Sequence, residues 1–181
     1  MDPLRFGVIG LGHMGEIYAR VLADLPEAEL VACCDIVPEK AKALATRLGV
    51  HGYIGPDFRQ MLRQHPDLDG VAVTTPDTDH LEPVMAALEA GMHVCVEKPL
   101  ATSVVEGEQM VAKAREKGRI LMVGHTLRFQ PQFIAMRESV RRGEIGRVLH
   151  FFARRNNPSA VRDRLRGRVS VTFSWACMIL T

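Results

Sequence analysis

The amino-acid sequence points to a doubly wound parallel α/β sheet, and two patterns carry that reading. Short runs rich in Val and Ile, apolar on both faces, recur along the first 124 residues, and an amphipathic stretch separates each from the next. Strand, helix and parallel strand in succession require right-handed crossovers, which place helices over the sheet. With 181 residues, 47% hydrophobic and 24% charged, the chain can bury a substantial core in one or two domains.

In chain order, strands are expected in "RFGVIG" (5–10), "ELVACC" (29–34), "GVAVTT" (70–75), "HVCVEK" (93–98) and "RILMVG" (119–124). Helices are expected in "MGEIYARVLADL" (14–25), "PEKAKALATRLG" (38–49), "DFRQMLRQH" (57–65), "DHLEPVMAALEAG" (79–91) and "SVVEGEQMVAKAREKG" (103–118). Pro38 opens one of them, and Gly49, Gly91 and Gly118 follow helix ends, as caps should. After Gln130 the alternation stops. A helix "PQFIAMRESVRRGEIG" (131–146) leads into "RVLHFFARRNN" and an Arg-rich connection, and residues 168–173 alternate apolar and polar like a half-buried strand. The division this predicts is a nucleotide domain over 1–125 and an incomplete α+β second domain over 126–181.

Composition excludes several classes. A net charge of +2 provides no global field for nucleic acid or a membrane surface, and the Arg-rich stretch 137–168 reads as a solvated face. No run approaches the ~18 apolar residues of a span, and "MDP" leads directly into a strand, so a cytoplasmic protein is expected. The four cysteines form neither a zinc spacing nor a disulfide framework. Cys33 and Cys34, adjacent in a strand, should point to opposite faces. No metal site is expected.

Chemistry begins at "FGVIGLGHMGEIYA". Gly10, Gly12 and Gly15 form G-x-G-x-x-G between the first strand and first helix. Gly10 permits the tight turn, Gly12 lets a pyrophosphate approach the backbone, and Gly15 lets helix and strand pack closely. His13 and Met14, inside this loop, lie beside the phosphates, where the helix N-terminus offers free N–H groups and positive dipole. Asp35, twenty residues beyond Gly15 at the end of the second strand, is placed to accept hydrogen bonds from an adenosine ribose. Its charge repels a 2′-phosphate, and Ile36, Val37 and Pro38 supply no cation. The expected cofactor is therefore NAD rather than NADP, bound by a Rossmann domain.

Three further stretches follow in order: "VTTPDTDH" (73–80), "VCVEKPL" (94–100) and "VGHTLRFQP" (123–131). With the glycine motif they resemble the glucose-fructose oxidoreductase, inositol dehydrogenase and MocA (Gfo/Idh/MocA) family, from residue 4 to about residue 173. The resemblance implies a dehydrogenase passing hydride between a sugar or polyol hydroxyl and nicotinamide. It implies that Lys98 assists proton transfer, that Glu97 binds the nicotinamide ribose, and that Pro99 fixes the turn, often through a cis bond. Thr74, Thr75 and Pro76 would line the cofactor pocket, or form only a turn. His80 has a pocket role or a helix-start role, and Arg128 anchors cofactor or substrate oxygens or makes a structural ion pair.

Family chains are considerably longer, and their second domain covers the nicotinamide, supplies substrate contacts and often forms the dimer interface. Homo-oligomerisation or self-association through that domain is expected here. Members with a strand like "GRVSVTF" continue in the manner of "FLGVHDIDL", whose histidine partners the lysine. A gene reading TTC TTC CTG GGC GTG CAT GAT ATT GAC CTG A, short of one T, encodes Phe173 to Thr181 and then a stop. Residues 174–181 are therefore expected to be a frameshift product, with Met178 in place of the histidine and Ser174 where many members carry aspartate; the alternative is a natural short strand. On this reading NAD binds while turnover is impaired. A non-catalytic dinucleotide-binding module and an inert product remain as other classes.

Overall fold

The computed structural model describes residues 2–152 and Arg154. The described residues divide into two units, the first ending at Gly124 and the second beginning at His125. The first is built on six parallel strands: β1 (Leu4–Ile9), β2 (Ala28–Cys34), β3 (Ile54–Gly55), β4 (Gly70–Val73), β5 (His93–Val96) and β6 (Leu121–Val123), in the order β3-β2-β1-β4-β5-β6. Helices α1 (His13–Asp24), α2 (Pro38–Leu48), α3 (Phe58–Gln64), α4 (Leu81–Glu89) and α5 (Val104–Lys117) make the crossovers. The chain leaves β1 toward β2 on one side and returns to β4 on the other, which creates a switch point between β1 and β4.

Local chemistry accounts for the helix limits. Pro38 opens α2, and Gly49 and Gly118 close α2 and α5 in the left-handed conformation, with φ of 69° and 60°. Asp57 caps α3 by accepting from the N–H groups of Arg59 (2.8 Å) and Gln60 (3.2 Å), and Ser103 caps α5 by accepting from Glu106 (3.3 Å). Both sheet faces are buried, in two separate cores. Val8 and Cys33 pack with Leu44 and Ala19 in one; Ile9 and Cys34 pack with Met61, Leu88 and Met110 in the other. Adjacent strand residues thus serve opposite faces, as the run of two cysteines implies.

Most boundaries differ from the sequence reading by one or two residues; β4, β5 and β6, for instance, are each shorter than expected, with limits at Val73, Val96 and Leu121. A two-residue strand, β3, is added at the sheet edge; two residues are too short for an alternation to show. Helix α1 starts at His13, one residue early, because Gly12 already occupies the N-cap position. In the second unit a 3-10 turn, Thr126–Phe129, precedes α6 (Pro131–Arg141), which stops five residues short of Gly146 because Gly143 and Gly146 take positive φ of 71° and 66°. Residues 147–152 form no strand. The expected strand over 168–173 and the tail over 174–181 lie outside the described residues. Among the described residues no helix is long and apolar enough to cross a membrane, and no cluster of candidate metal ligands occurs.

Candidate functional site

Cys34, Ile9, Val73, Val96 and Val123 are register partners in a row from β2 to β6. The next residue in each strand is Asp35, Gly10, Thr74, Glu97 and Gly124, and the ladder continues into this row. Gly10 N–H donates to Cys34 O (2.8 Å), Thr74 to Ile9 O (2.8 Å), Glu97 to Val73 O (2.9 Å) and Gly124 to Val96 O (2.8 Å). Parallel pairing alone therefore brings residues from four separate motifs to one carboxyl edge of the sheet. Among the described residues the buried polar or charged side chains are Asp35, Thr74, His80 and Glu97, and all four stand at this edge. Polar groups are costly to bury unless paired, and each of these is paired.

The glycine loop is shaped by steric limits. Gly10 has φ +89°, and a Cβ there would stand 2.8 Å from Thr75 N; at Gly15 it would stand 1.9 Å from Gly10 O and 2.6 Å from Thr74 Oγ1. At Gly12 a Cβ would meet no protein atom within 4 Å. The space that Gly12 leaves free is thus available to another molecule, and no side chain caps the N-terminus of α1. An uncapped helix start beside open space suits a pyrophosphate. His13 is exposed there and Met14 half-buried. Glu16, the acid of the first turn, is paired with Arg47 (2.5 Å) and Arg20 (2.6 Å), which hold its carboxyl below the usual range and offset its charge beside an anion.

Asp35 has a structural role that the sequence reading did not include. Its Oδ2 accepts from Leu11 N–H (2.7 Å) and its Oδ1 from Val37 N–H (2.9 Å), so the carboxylate ties the end of β2 to the glycine loop. Each oxygen keeps a further lone pair able to accept a hydrogen bond. Thr74 likewise faces the loop, donating to Gly10 O (2.5 Å), with Ile9 O at 3.3 Å. Thr75 donates from Oγ1 to Asp79 O (3.0 Å) and closes the short 3-10 turn Asp77–Asp79, which the exposed Pro76 precedes.

At β5, Glu97 is 7% exposed. Its Oε1 accepts from the Tyr18 hydroxyl (3.1 Å), and its Oε2 from the N–H of Lys98 (3.2 Å). Burial raises the Glu97 carboxyl above its ordinary value, opposed by the Tyr18 hydrogen bond and the charges of Lys98 and His80. Lys98 is half-buried, and the Lys98–Pro99 bond is cis. Tyr18 and Gly124 are absent from the sequence reading. A Cβ on Gly124 would stand 2.5 Å from the Tyr18 hydroxyl, so the glycine makes room for it, and burial, with Cys95 and Glu97 nearby, pushes that hydroxyl well above the phenol range. The available signal was a glycine directly after the last strand and a hydroxyl-bearing ring on the inner face of α1. His80 is 1% exposed, its Nδ1 2.9 Å from Pro99 O and its Nε2 3.1 Å from Thr75 O. Arg128, in the 3-10 turn of the second unit, is exposed.

A parallel sheet with a switch point between β1 and β4, open space beside the helix start at β1 and a buried acid at β5, two strands away, is the architecture of a Rossmann-type dinucleotide-binding domain. The chain belongs to the Gfo/Idh/MocA family: the profile of the "Oxidoreductase family, NAD-binding Rossmann fold" matches residues 4–125. It is 30% identical over 149 residues to scyllo-inositol 2-dehydrogenase (NAD(+)) of Bacillus subtilis, covering 82% of this chain and 43% of that protein. It is 33% identical over 145 residues to myo-inositol 2-dehydrogenase of Thermotoga maritima, covering 80% and 42%. The crystal structure of scyllo-inositol dehydrogenase from Lactobacillus casei, with bound NAD(H) and scyllo-inositol, superposes with a TM-score of 0.75 at 30% identity over 80% of this chain and 43% of that one. The chain thus spans less than half the length of these relatives.

Proposed function

We propose that this chain carries the cofactor-binding and proton-transferring part of an NAD-dependent dehydrogenase acting on a hydroxyl of a sugar or polyol. The observation that carries the reading is the concentration of buried polar side chains at one sheet edge, with the open space at Gly12 at one end and Lys98 at the other. Bound NAD supplies a hydride acceptor at nicotinamide C4. Asp35 orients the adenosine ribose and disfavours a 2′-phosphate, the α1 N-terminus takes the pyrophosphate, and Glu97 faces the nicotinamide ribose. As the hydroxyl becomes a carbonyl, Lys98 takes its proton. Residues 1–125 form the cofactor domain, and residues from 126 onward begin a substrate and association domain to which Arg128 contributes.

Two finer points belong to the same proposal. The protein is cytoplasmic, and it self-associates through its second unit, where Phe133, Met136 and Val140 form an exposed apolar stripe on α6. The test is titration of the chain with NAD and NADP, followed by a screen of inositols and sugars, with association read by light scattering. Tighter binding of NAD than NADP, with polyol oxidation that Lys98→Met lowers by about 10²- to 10⁴-fold, supports the reading. Binding without turnover of any polyol is the outcome expected both of a dehydrogenase chain with impaired turnover and of a dinucleotide-binding module, and turnover by the chain extended with a full second domain separates them; no binding of either dinucleotide refutes both.

A further inference from the structure

One carboxylate, two donors and one glycine meet just past β5. The Tyr18 hydroxyl donates to Glu97 Oε1 (3.1 Å), and the N–H of Lys98 donates to Oε2 (3.2 Å). A Cβ on Gly124 would stand 2.5 Å from the Tyr18 hydroxyl and 3.1 Å from Glu97 Oε1, so a larger residue there would force the pair apart. Helix α1, the end of β5 and the residue after β6 are thus shaped around a single contact. Burial, with Cys95 and Glu97 nearby, keeps the Tyr18 hydroxyl protonated and hence a donor. A glutamate side chain has several rotatable bonds, and a carboxylate held at both oxygens has lost that freedom before any ligand arrives. A ligand then meets a preset pair of lone pairs, one on each oxygen.

We propose that Tyr18 is a positioning residue for the reacting end of the cofactor: it holds the Glu97 carboxylate in the orientation that accepts hydroxyls of the nicotinamide ribose, without touching the dinucleotide itself. This rests on the proposed function, in which Glu97 faces that ribose. The helix extends the argument to the phosphates. Tyr18 lies about 9 Å along α1 from Gly12, the helix start beside the space that suits a pyrophosphate. One helix therefore bears on both subsites and fixes the separation between the pyrophosphate and the ribose acceptor. ADP ends at the pyrophosphate, whereas ADP-ribose and NAD carry the further ribose. The Tyr18 hydroxyl should matter only to the last two.

The test is calorimetric titration of the full chain with NAD, ADP-ribose and ADP. Tyr18→Phe keeps the ring and its packing but removes the donor; it should weaken NAD and ADP-ribose about fivefold and leave ADP within about twofold. Gly124→Ala, which displaces the hydroxyl from a different element, should give the same pattern. In a Glu97→Ala background Tyr18→Phe should change nothing further, because the group it orients is gone. Equal losses for all three ligands in Tyr18→Phe mark a merely structural tyrosine and overturn the proposal. An unchanged NAD affinity, or a full further loss in the Glu97→Ala background, overturns it as well. If wild type binds none of the three ligands, the functional reading fails and the proposal falls with it; if wild type binds all three and Tyr18→Phe matches it, only the role of Tyr18 falls.

Discussion

Around Gly10 the chain is shaped by side chains that are missing, whereas around Glu97 it is shaped by polar side chains that are buried. Gly10 and Gly15 leave no room for a Cβ, so the loop from β1 to α1 has one way to pack. Two strands over, the turn after β5 is held by the Tyr18 hydroxyl and the Lys98 N–H, which both donate to the Glu97 carboxylate, and by the His80 ring against Pro99 O. The first arrangement responds to volume and is indifferent to pH. The second tolerates changes of shape better than changes of charge, because each buried polar group depends on a partner in a definite protonation state. A cofactor spanning the edge would be gripped rigidly at its phosphates and adjustably at its reacting end.

Steric substitutions at the loop should break this contrast most strongly. Gly15→Ala places a Cβ 1.9 Å from Gly10 O, a backbone atom that cannot move without dismantling the turn. The expected cost is about 3 kcal/mol, the upper range of overpacking, with NAD binding abolished. Gly12→Ala meets nothing within 4 Å and should cost about 1 kcal/mol or less through the weaker helix cap, yet still lower NAD affinity. Thermal melts and NAD titrations on the two variants separate the roles: comparable melting losses would mean that the loop is not shaped by close packing.

The same contrast explains what could be read from residues alone. Glycines in G-x-G-x-x-G have one steric explanation each, and the strand runs are apolar on both faces, so the loop, the sheet and the position of Asp35 were legible. Tyr18 was not, because a tyrosine in an amphipathic helix carries no mark of the acid, 79 residues later, that its hydroxyl meets. His80 stood where sequence could not separate a helix start from a pocket residue; its two carbonyl partners come from opposite sides in the chain, at Thr75 and Pro99, and only folding brings them together. β3 escaped notice because two residues show no periodicity.

Asp35→Ala is next in size and crosses between the two regimes. It leaves the buried N–H of Leu11 without its acceptor and frees Val37 N–H, a loss of about 1–3 kcal/mol in stability. NAD should bind more weakly while the ratio of NADP to NAD affinity rises, since a ribose acceptor and a repulsive charge go together. Asp35→Asn separates the effects, because its amide oxygen can still accept from Leu11 while the charge is gone. An unchanged cofactor ratio in both variants would show that Asp35 serves the loop alone.

The smallest effect concerns the buried acid at β5. Burial raises the Glu97 carboxyl above its ordinary value, so between that value and the folded one the native state holds a proton that the unfolded chain has released. Stability therefore has its full contribution from the neutral acid at low pH and declines as pH rises through the carboxylate range toward the folded value. Tyr18→Phe removes the hydroxyl that donates to the ionised form, which should raise the carboxyl further, extend the decline to higher pH and cost about 1 kcal/mol at neutral pH. Glu97→Gln should remove this part of the slope altogether, because an amide does not titrate. Denaturant melts across the acid to neutral range check the sign: if wild type gains stability over Glu97→Gln as pH rises through that window, then Tyr18, Lys98 and His80 together outweigh burial, and the acid at the edge is held charged more firmly than its surroundings indicate.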